Sequence, residues 1–213
     1  MRVKNLFLAP AFVTVTACGG FDNQVADSEL ALEGAAIADF VAAYCQRDGI
    51  PFPPERVIVG TDGDDVLSGL GDLSDDCILG LGGNDTILGH AGDDILIGFD
   101  GDDFIDGEAG NDVVFGFSGN DILHGGDGAD LVRGNLGDDS VFGDNGDDIV
   151  QGGVGRDRLF GGLGNDTVTW DGPDSDPQID GGGGNDQCRL DATRAANSTV
   201  VNANGRSCEA LIP

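Results

Sequence analysis

An Asp recurs at every ninth residue from Asp85 to Asp166, always sixth in a unit with Gly first and fourth and Ile, Leu or Val eighth. Ten such units run unbroken from Gly80 to Thr169. GTDGDDVLS precedes them at 60–68, an eleven-residue variant fills 69–79, a second fills 170–180, and GGGGNDQCR closes the array at 181–189. Carboxylates at fixed spacing are hard oxygen donors, and their chemistry is cation binding. If two units close one coil, each of these Asp residues stacks beside the one two units later. One edge then carries Asp65, Asp85, Asp103, Asp121, Asp139 and Asp157; the other carries Asp76, Asp94, Asp112, Asp130, Asp148, Asp166 and Asp186. Like charges this close repel unless a cation lies between them. Flexible geometry and available turn carbonyls suit Ca²⁺ better than Mg²⁺, and filling every adjacent pair gives up to about eleven ions. The plainer alternative is a solvated polar edge without metal, which would oppose stacking.

The elements that must position these carboxylates follow from the same unit. Positions seven to nine hold its β-branched and aromatic residues, which predicts a strand of three residues, about 10 Å long. The other six residues are expected to turn the chain, with Gly at one and four supplying positive φ. Successive coils then stack in parallel, about 4.8 Å apart, as two facing sheets with position eight inward. Ile87, Ile105, Leu123, Val141 and Leu159 would line one sheet, and Leu96, Val114, Val132, Val150 and Val168 the other. That core is one residue thick, too little to offset the chain entropy of so many glycines, so bound metal must supply the difference. Departures from the pattern mark weak points. Pro177 takes an Asp slot and Trp170 a leading Gly slot, so the first ladder is expected to end at Asp157, where Arg156 and Arg158 flank the carboxylate. Ser74 replaces a fourth-position Gly before Asp76.

Among 213 residues, 39 are Asp or Glu and only 10 Lys or Arg, a formal net charge of −29. Scattered basic residues exclude phosphate-backbone recognition, so nucleic acid is not a partner. High charge with few aromatics is also the mark of disorder, but a disordered linker would not keep phase over ten units. The consensus G-G-x-G-x-D-x-U-x resembles the hemolysin-type (RTX) calcium-binding repeat family over residues 60–189. The resemblance implies an all-β parallel β-roll, a right-handed solenoid. It also implies that Asp side chains and backbone carbonyls of consecutive same-side turns enclose each ion.

The flanking segments carry their own signals. Arg2 and Lys4 precede an apolar run, Leu6 to Ala17, too short to span a bilayer, which is the layout of a secretory signal over 1–17. Val15-Thr16-Ala17-Cys18 resembles a bacterial lipobox, which would make Cys18 a lipidated N-terminus and place the protein at the cell surface as an outer-membrane lipoprotein. The alternative is cleavage after Ala17 with Cys18 unmodified. Residues 18–59 are expected to hold a tether and an amphipathic helix over 28–47, with Ile37, Phe40, Val41 and Tyr44 on one face and Gly49 past its end; residues 190–213 are expected to cap the roll. Cys45, Cys77, Cys188 and Cys208 form an even set in an exported chain and imply two disulfides with three possible connectivities. Position seven faces outward and position eight inward, which favours Cys45 with Cys77 and Cys188 with Cys208. All four remaining reduced is the other reading.

Neither H-E-x-x-H nor G-x-S-x-G occurs, and His90 and His124 read as tolerated surface residues. The expected function is therefore calcium binding by an exported, non-enzymatic surface module that folds on extracellular Ca²⁺. The alternative is an accessory or targeting component of an RTX hydrolase or toxin system.

Overall fold

The computed structural model describes residues 41, 43–47, 49–170, 178–190 and 209–210. The chain divides into two compact units, Met1–Val57 and Ile58–Pro213. Residues 1–17, Cys18, Cys208 and Pro177 lie outside the described residues, as does most of the expected cap over 190–213.

In the first unit, residues 28–40 of the expected helix are also outside the described residues, while Val41, Ala43 and Tyr44 are helical. The helix does not continue to residue 47. The Cys45 N–H still donates to Val41 O at 2.8 Å, but Gln46–Arg47 pairs antiparallel with Ile50–Pro51. Gly49, at φ 77°, belongs to the reversal between those short strands and not to a helix end. A left-handed residue so close to Gln46 gives it a strand partner instead of another helical turn.

The second unit consists of two parallel sheets. One has seven strands, running in order from Val66–Ser68 to Gln178–Gly183; the other has nine, from Val57–Val59 to Glu209–Ala210. Units alternate between the sheets, so each strand pairs with the strand two units away, as in Ile87↔Ile105, Leu123↔Val141 and Val132↔Val150. Position eight faces inward throughout. Ile87, Leu96, Ile105, Val114, Leu123, Val132, Val141, Val150, Leu159 and Val168 are all 0% exposed and form one cluster with Trp170, Ile179 and Cys188. Outward on the nine-stranded sheet, Cys77, Leu79, Ile95, Ile97 and Val113 are buried, whereas Ile149 farther along the same stripe is 45% exposed. Cys45, Cys77 and Cys188 are each disulfide-bonded.

Two expectations about the unit need correction. Strands such as Thr86–Ala91 have six residues, not three, because positions one to three continue the ladder and only four to six turn. Left-handed backbone also sits elsewhere. Position four is left-handed, as at Gly101 (φ 133°), but position one is not. Position two is left-handed instead, even at Leu81 (φ 83°), Phe99 (φ 82°) and Glu108 (φ 68°). Non-Gly residues there each cost on the order of 1 kcal/mol, a strain that must be met by the stacking of the coils.

Candidate metal sites

The turn at positions four to six ends on the Asp whose carboxylate defines each rung. A left-handed Gly at position four lets the chain reverse in three residues and turns the sixth side chain back into the stack. Asp85, Asp94, Asp103, Asp112, Asp121, Asp130, Asp139, Asp148, Asp157 and Asp166 are thereby 0–2% exposed, and Asp76, which follows Ser74 in place of that Gly, is 1% exposed. Asp65 and Asp186, at the array ends, are half-buried.

One oxygen of each carboxylate is used structurally. Oδ1 accepts the backbone N–H of the equivalent Asp one coil earlier: Asp76 N–H donates to Asp94 Oδ1 (2.7 Å), Asp94 to Asp112 (2.7 Å), Asp112 to Asp130 (2.7 Å) and Asp130 to Asp148 (2.8 Å). Along the other edge, Asp85 donates to Asp103 (2.8 Å), Asp103 to Asp121 (2.9 Å) and Asp121 to Asp139 (2.9 Å). The remaining oxygen is left over. Oδ2 of Asp85, Asp103, Asp112, Asp121, Asp130, Asp139, Asp148 and Asp166 is buried with no hydrogen-bond partner. An ionised oxygen without hydrogen bonds in a dry site is costly, and a whole column of them needs a cation.

The space beside each Oδ2 explains the position-one glycine. A Cβ on Gly125 would stand 2.5 Å from Asp130 Oδ2 and 2.7 Å from Gly143 O of the next coil. The carboxylate oxygen and a backbone carbonyl thus converge on the gap that the missing side chain leaves, and the same pair of groups flanks Gly89 and Gly161. Among the described residues no three acidic, His or Cys side chains meet at one point. Carboxylates contributed singly by successive coils, completed by backbone carbonyls, fit an all-oxygen Ca²⁺ shell and not a thiolate or imidazole metal site.

Without metal, these groups resist ionisation. Burial pushes the carboxyl groups of Asp112 and Asp121 up to about 8, those of Asp103, Asp139 and Asp148 to about 7, and those of Asp130 and Asp166 to about 6. The donated backbone N–H opposes the rise, and neighbouring carboxylates add to it. Burial raises Asp85 as well.

The ladder ends differ. Asp65 Oδ2 accepts from Thr61 N–H (2.6 Å) and Oγ1 (2.9 Å), and Asp76 Oδ2 from Leu70 N–H (2.9 Å), so both are satisfied from within the chain. Arg156 pairs with Asp138 of the preceding coil, Nη2 to Oδ2 at 2.8 Å. A second polar ladder runs at position five in the opposite sense. Asn84 N–H donates to Asp64 Oδ1 (2.8 Å), Asp102 to Asn84 (2.8 Å), Asn120 to Asp102 (2.7 Å) and Asp138 to Asn120 (2.9 Å). The signal for it was the run of Asp and Asn at position five, since either side chain offers the acceptor; Ala129 offers none.

The family model described as the RTX calcium-binding nonapeptide repeat (4 copies) matches residues 57–72, 70–98, 79–114, 97–132, 115–150, 133–168 and 178–192. No curated protein matches the chain. The matched segments span more than half of the sequence and coincide with the stacked coils that carry the buried position-six carboxylates. The chain therefore belongs to the RTX calcium-binding nonapeptide repeat family, and its cofactor is Ca²⁺.

Proposed function

We propose that this protein is an exported module whose β-roll folds when it meets extracellular Ca²⁺, with the position-six carboxylates from Asp65 to Asp186 as the metal ligands and the stacked roll as a surface or structural element. The column of buried Oδ2 atoms without partners carries this reading. An apo chain must either protonate these groups or expose them, whereas a Ca²⁺-loaded chain uses them. Neither of those demands turnover, and the ladders themselves perform no catalysis in this reading. An accessory role in an RTX hydrolase or toxin system remains the alternative.

Export and anchoring belong to the same proposal. Disulfide bonding at Cys45, Cys77 and Cys188 supports an oxidising, extracellular setting. Attachment through an acylated Cys18 is the reading of Val15-Thr16-Ala17-Cys18; no helix among the described residues is long and apolar enough to cross a membrane. We assign the pairing Cys45 with Cys77 and Cys188 with Cys208; full burial of Cys77 and Cys188, at 0% and 1% exposed, favours partners that shield them. Mass spectrometry of the protein purified from its membrane fraction under non-reducing conditions is expected to show an acylated N-terminal Cys18 and those two linked peptide pairs. Cys18→Ser is expected to remove the lipid mass and the membrane partition. Unchanged partition, or Cys45 linked to Cys188 or Cys208, would contradict the assignment.

A further inference from the structure

The outer face of the seven-stranded sheet carries a constellation that the calcium ladders do not use. Ser68 lies on Val66–Ser68, His90 on Thr86–Ala91 and Glu108 on Phe104–Ala109, three strands that are neighbours in the sheet. Ser68 Oγ and His90 Nε2 are 2.8 Å apart, and His90 Nδ1 lies 3.1 Å from Glu108 Oε1. His90 and Glu108 are register partners, while Ser68 sits opposite Leu88, two residues before His90. Each ring nitrogen therefore has its own partner. With its proton on Nδ1, beside Glu108 Oε1, the ring presents Nε2 to Ser68 Oγ, whose hydroxyl also donates to Gly69 O at 3.1 Å; turned to Nε2 instead, that hydroxyl is in the arrangement that activates a serine.

The three side chains are reachable from solvent. The His90 and Glu108 side chains are 34% and 41% exposed, and Ser68 is exposed. Gly71, at φ 67°, lies beside the ring: a Cβ added there would meet only His90 Cδ2, at 3.8 Å. That open space next to the imidazole is where an acyl group could stand. A chain with a net charge of −29 repels anionic esters, so neutral or cationic ones are favoured.

We propose that Ser68, His90 and Glu108 form a Ser–His–Glu triad that hydrolyses small neutral or cationic carboxylic esters. Ser68 Oγ attacks the ester carbonyl carbon as its proton passes to His90 Nε2. The bond from that carbon to the alcohol oxygen breaks, and the alcohol leaves with the proton from Nε2. Water then attacks the acyl-serine carbonyl, gives one proton to Nε2, and the carboxylic acid departs as Ser68 Oγ takes that proton back. Glu108 is a positioning residue, acting only through the tautomer and orientation of His90. Three coils must be stacked in register for these groups to meet, so the activity rests on the calcium-dependent folding proposed above.

The test treats the full calcium-loaded chain with an alkyl fluorophosphonate and assays p-nitrophenyl acetate hydrolysis, while circular dichroism reports folding of the same samples. Label is expected on the Ser68 peptide. Ser68→Ala and His90→Ala are expected to lower the rate at least about 100-fold, with circular dichroism unchanged. Glu108→Gln is expected to lower kcat with little change in KM, because the imidazole loses the carboxylate that orients it, and Glu108→Asp to restore part of the rate. His124→Asn is expected to leave the rate intact: His124 pairs with Asp144 at 2.8 Å and lies against Phe142, without a serine partner. A folded, calcium-loaded chain that takes no label at Ser68, or that hydrolyses ester equally as Ser68→Ala, overturns the triad and leaves calcium-driven folding standing. Labelling of a chain that stays folded in chelator supports the triad and overturns the calcium dependence instead.

Discussion

Asp130→Ala is expected to abolish two neighbouring calcium sites and to raise the calcium concentration needed to fold the roll. Asp130 stands between Asp112 and Asp148: its Oδ1 accepts the Asp112 N–H at 2.7 Å, and its own N–H donates to Asp148 Oδ1 at 2.8 Å. Truncation removes one acceptor outright, a charge-assisted hydrogen bond of about 1.5–3 kcal/mol, and removes the orphaned Oδ2 that faces the metal gap. Gly125→Ala is expected to give a similar loss by another route. Its methyl group would stand 2.5 Å from Asp130 Oδ2 and 2.7 Å from Gly143 O, so it displaces that carboxylate from the gap without removing it from the chain. Asp102→Asn is the contrasting case. Asp102 is exposed at position five, where Asn84 and Asn120 already do the same work in neighbouring coils, so its change is expected to stay within about 0.5 kcal/mol. Calcium titration by calorimetry checks all three. Equal stoichiometry in Asp130→Ala and the parent would contradict the assignment.

In excess chelator, acidification is expected to restore the sheets that neutral pH dissolves. Folded-state carboxyls at about 8 for Asp112 and Asp121 and about 7 for Asp103, Asp139 and Asp148 lie above the ordinary Asp value near 3.9. The metal-free fold consequently binds more protons than the unfolded chain between these limits. Its stability is fully present below the unfolded value and is lost as pH rises through roughly 6 to 8, the reverse of a salt-bridged carboxylate. Each unit of elevation penalises the ionised form by about 1.4 kcal/mol, and several rungs add together. Calcium and protons compete for the same oxygens, so calcium affinity is expected to fall as pH falls through the same window, with proton release on binding. Circular dichroism in chelator between about pH 8 and pH 5 reads the first effect, staying above the isoelectric point near 4.1. A metal-free chain that grows more stable with rising pH would contradict it.

The sequence disclosed the period, the inward position eight and the position-six carboxylates because each is a residue type repeated at one phase, and stacking turns phase directly into neighbours. It did not disclose what depends on backbone angles. Leu81, Phe99 and Glu108 do not advertise left-handed backbone, so the sequence presents position two as part of a glycine-led turn. Glycine at position one looked like a conformational requirement and proves to be a steric one, set by Asp Oδ2 and the next coil's carbonyl. The position-five ladder was hidden because Asp and Asn alternate there and only their shared acceptor matters. Ser68 and His90 come from different phases of the unit, 22 residues apart across the eleven-residue variant, so no fixed spacing could pair them.

Far-UV circular dichroism of the chain from Cys18 onward, recorded with Trp170 fluorescence during a calcium titration out of chelator at neutral pH, tests the central claim most directly. Trp170 is the only tryptophan and is 1% exposed within the core cluster, so its emission reports core formation while the dichroism reports the sheets. The account predicts an expanded, sheet-poor chain with solvent-exposed Trp170 emission in chelator, passing to a sheet spectrum and a buried, blue-shifted Trp170 as calcium is added. A complete sheet spectrum with buried Trp170 in excess chelator at neutral pH would contradict it.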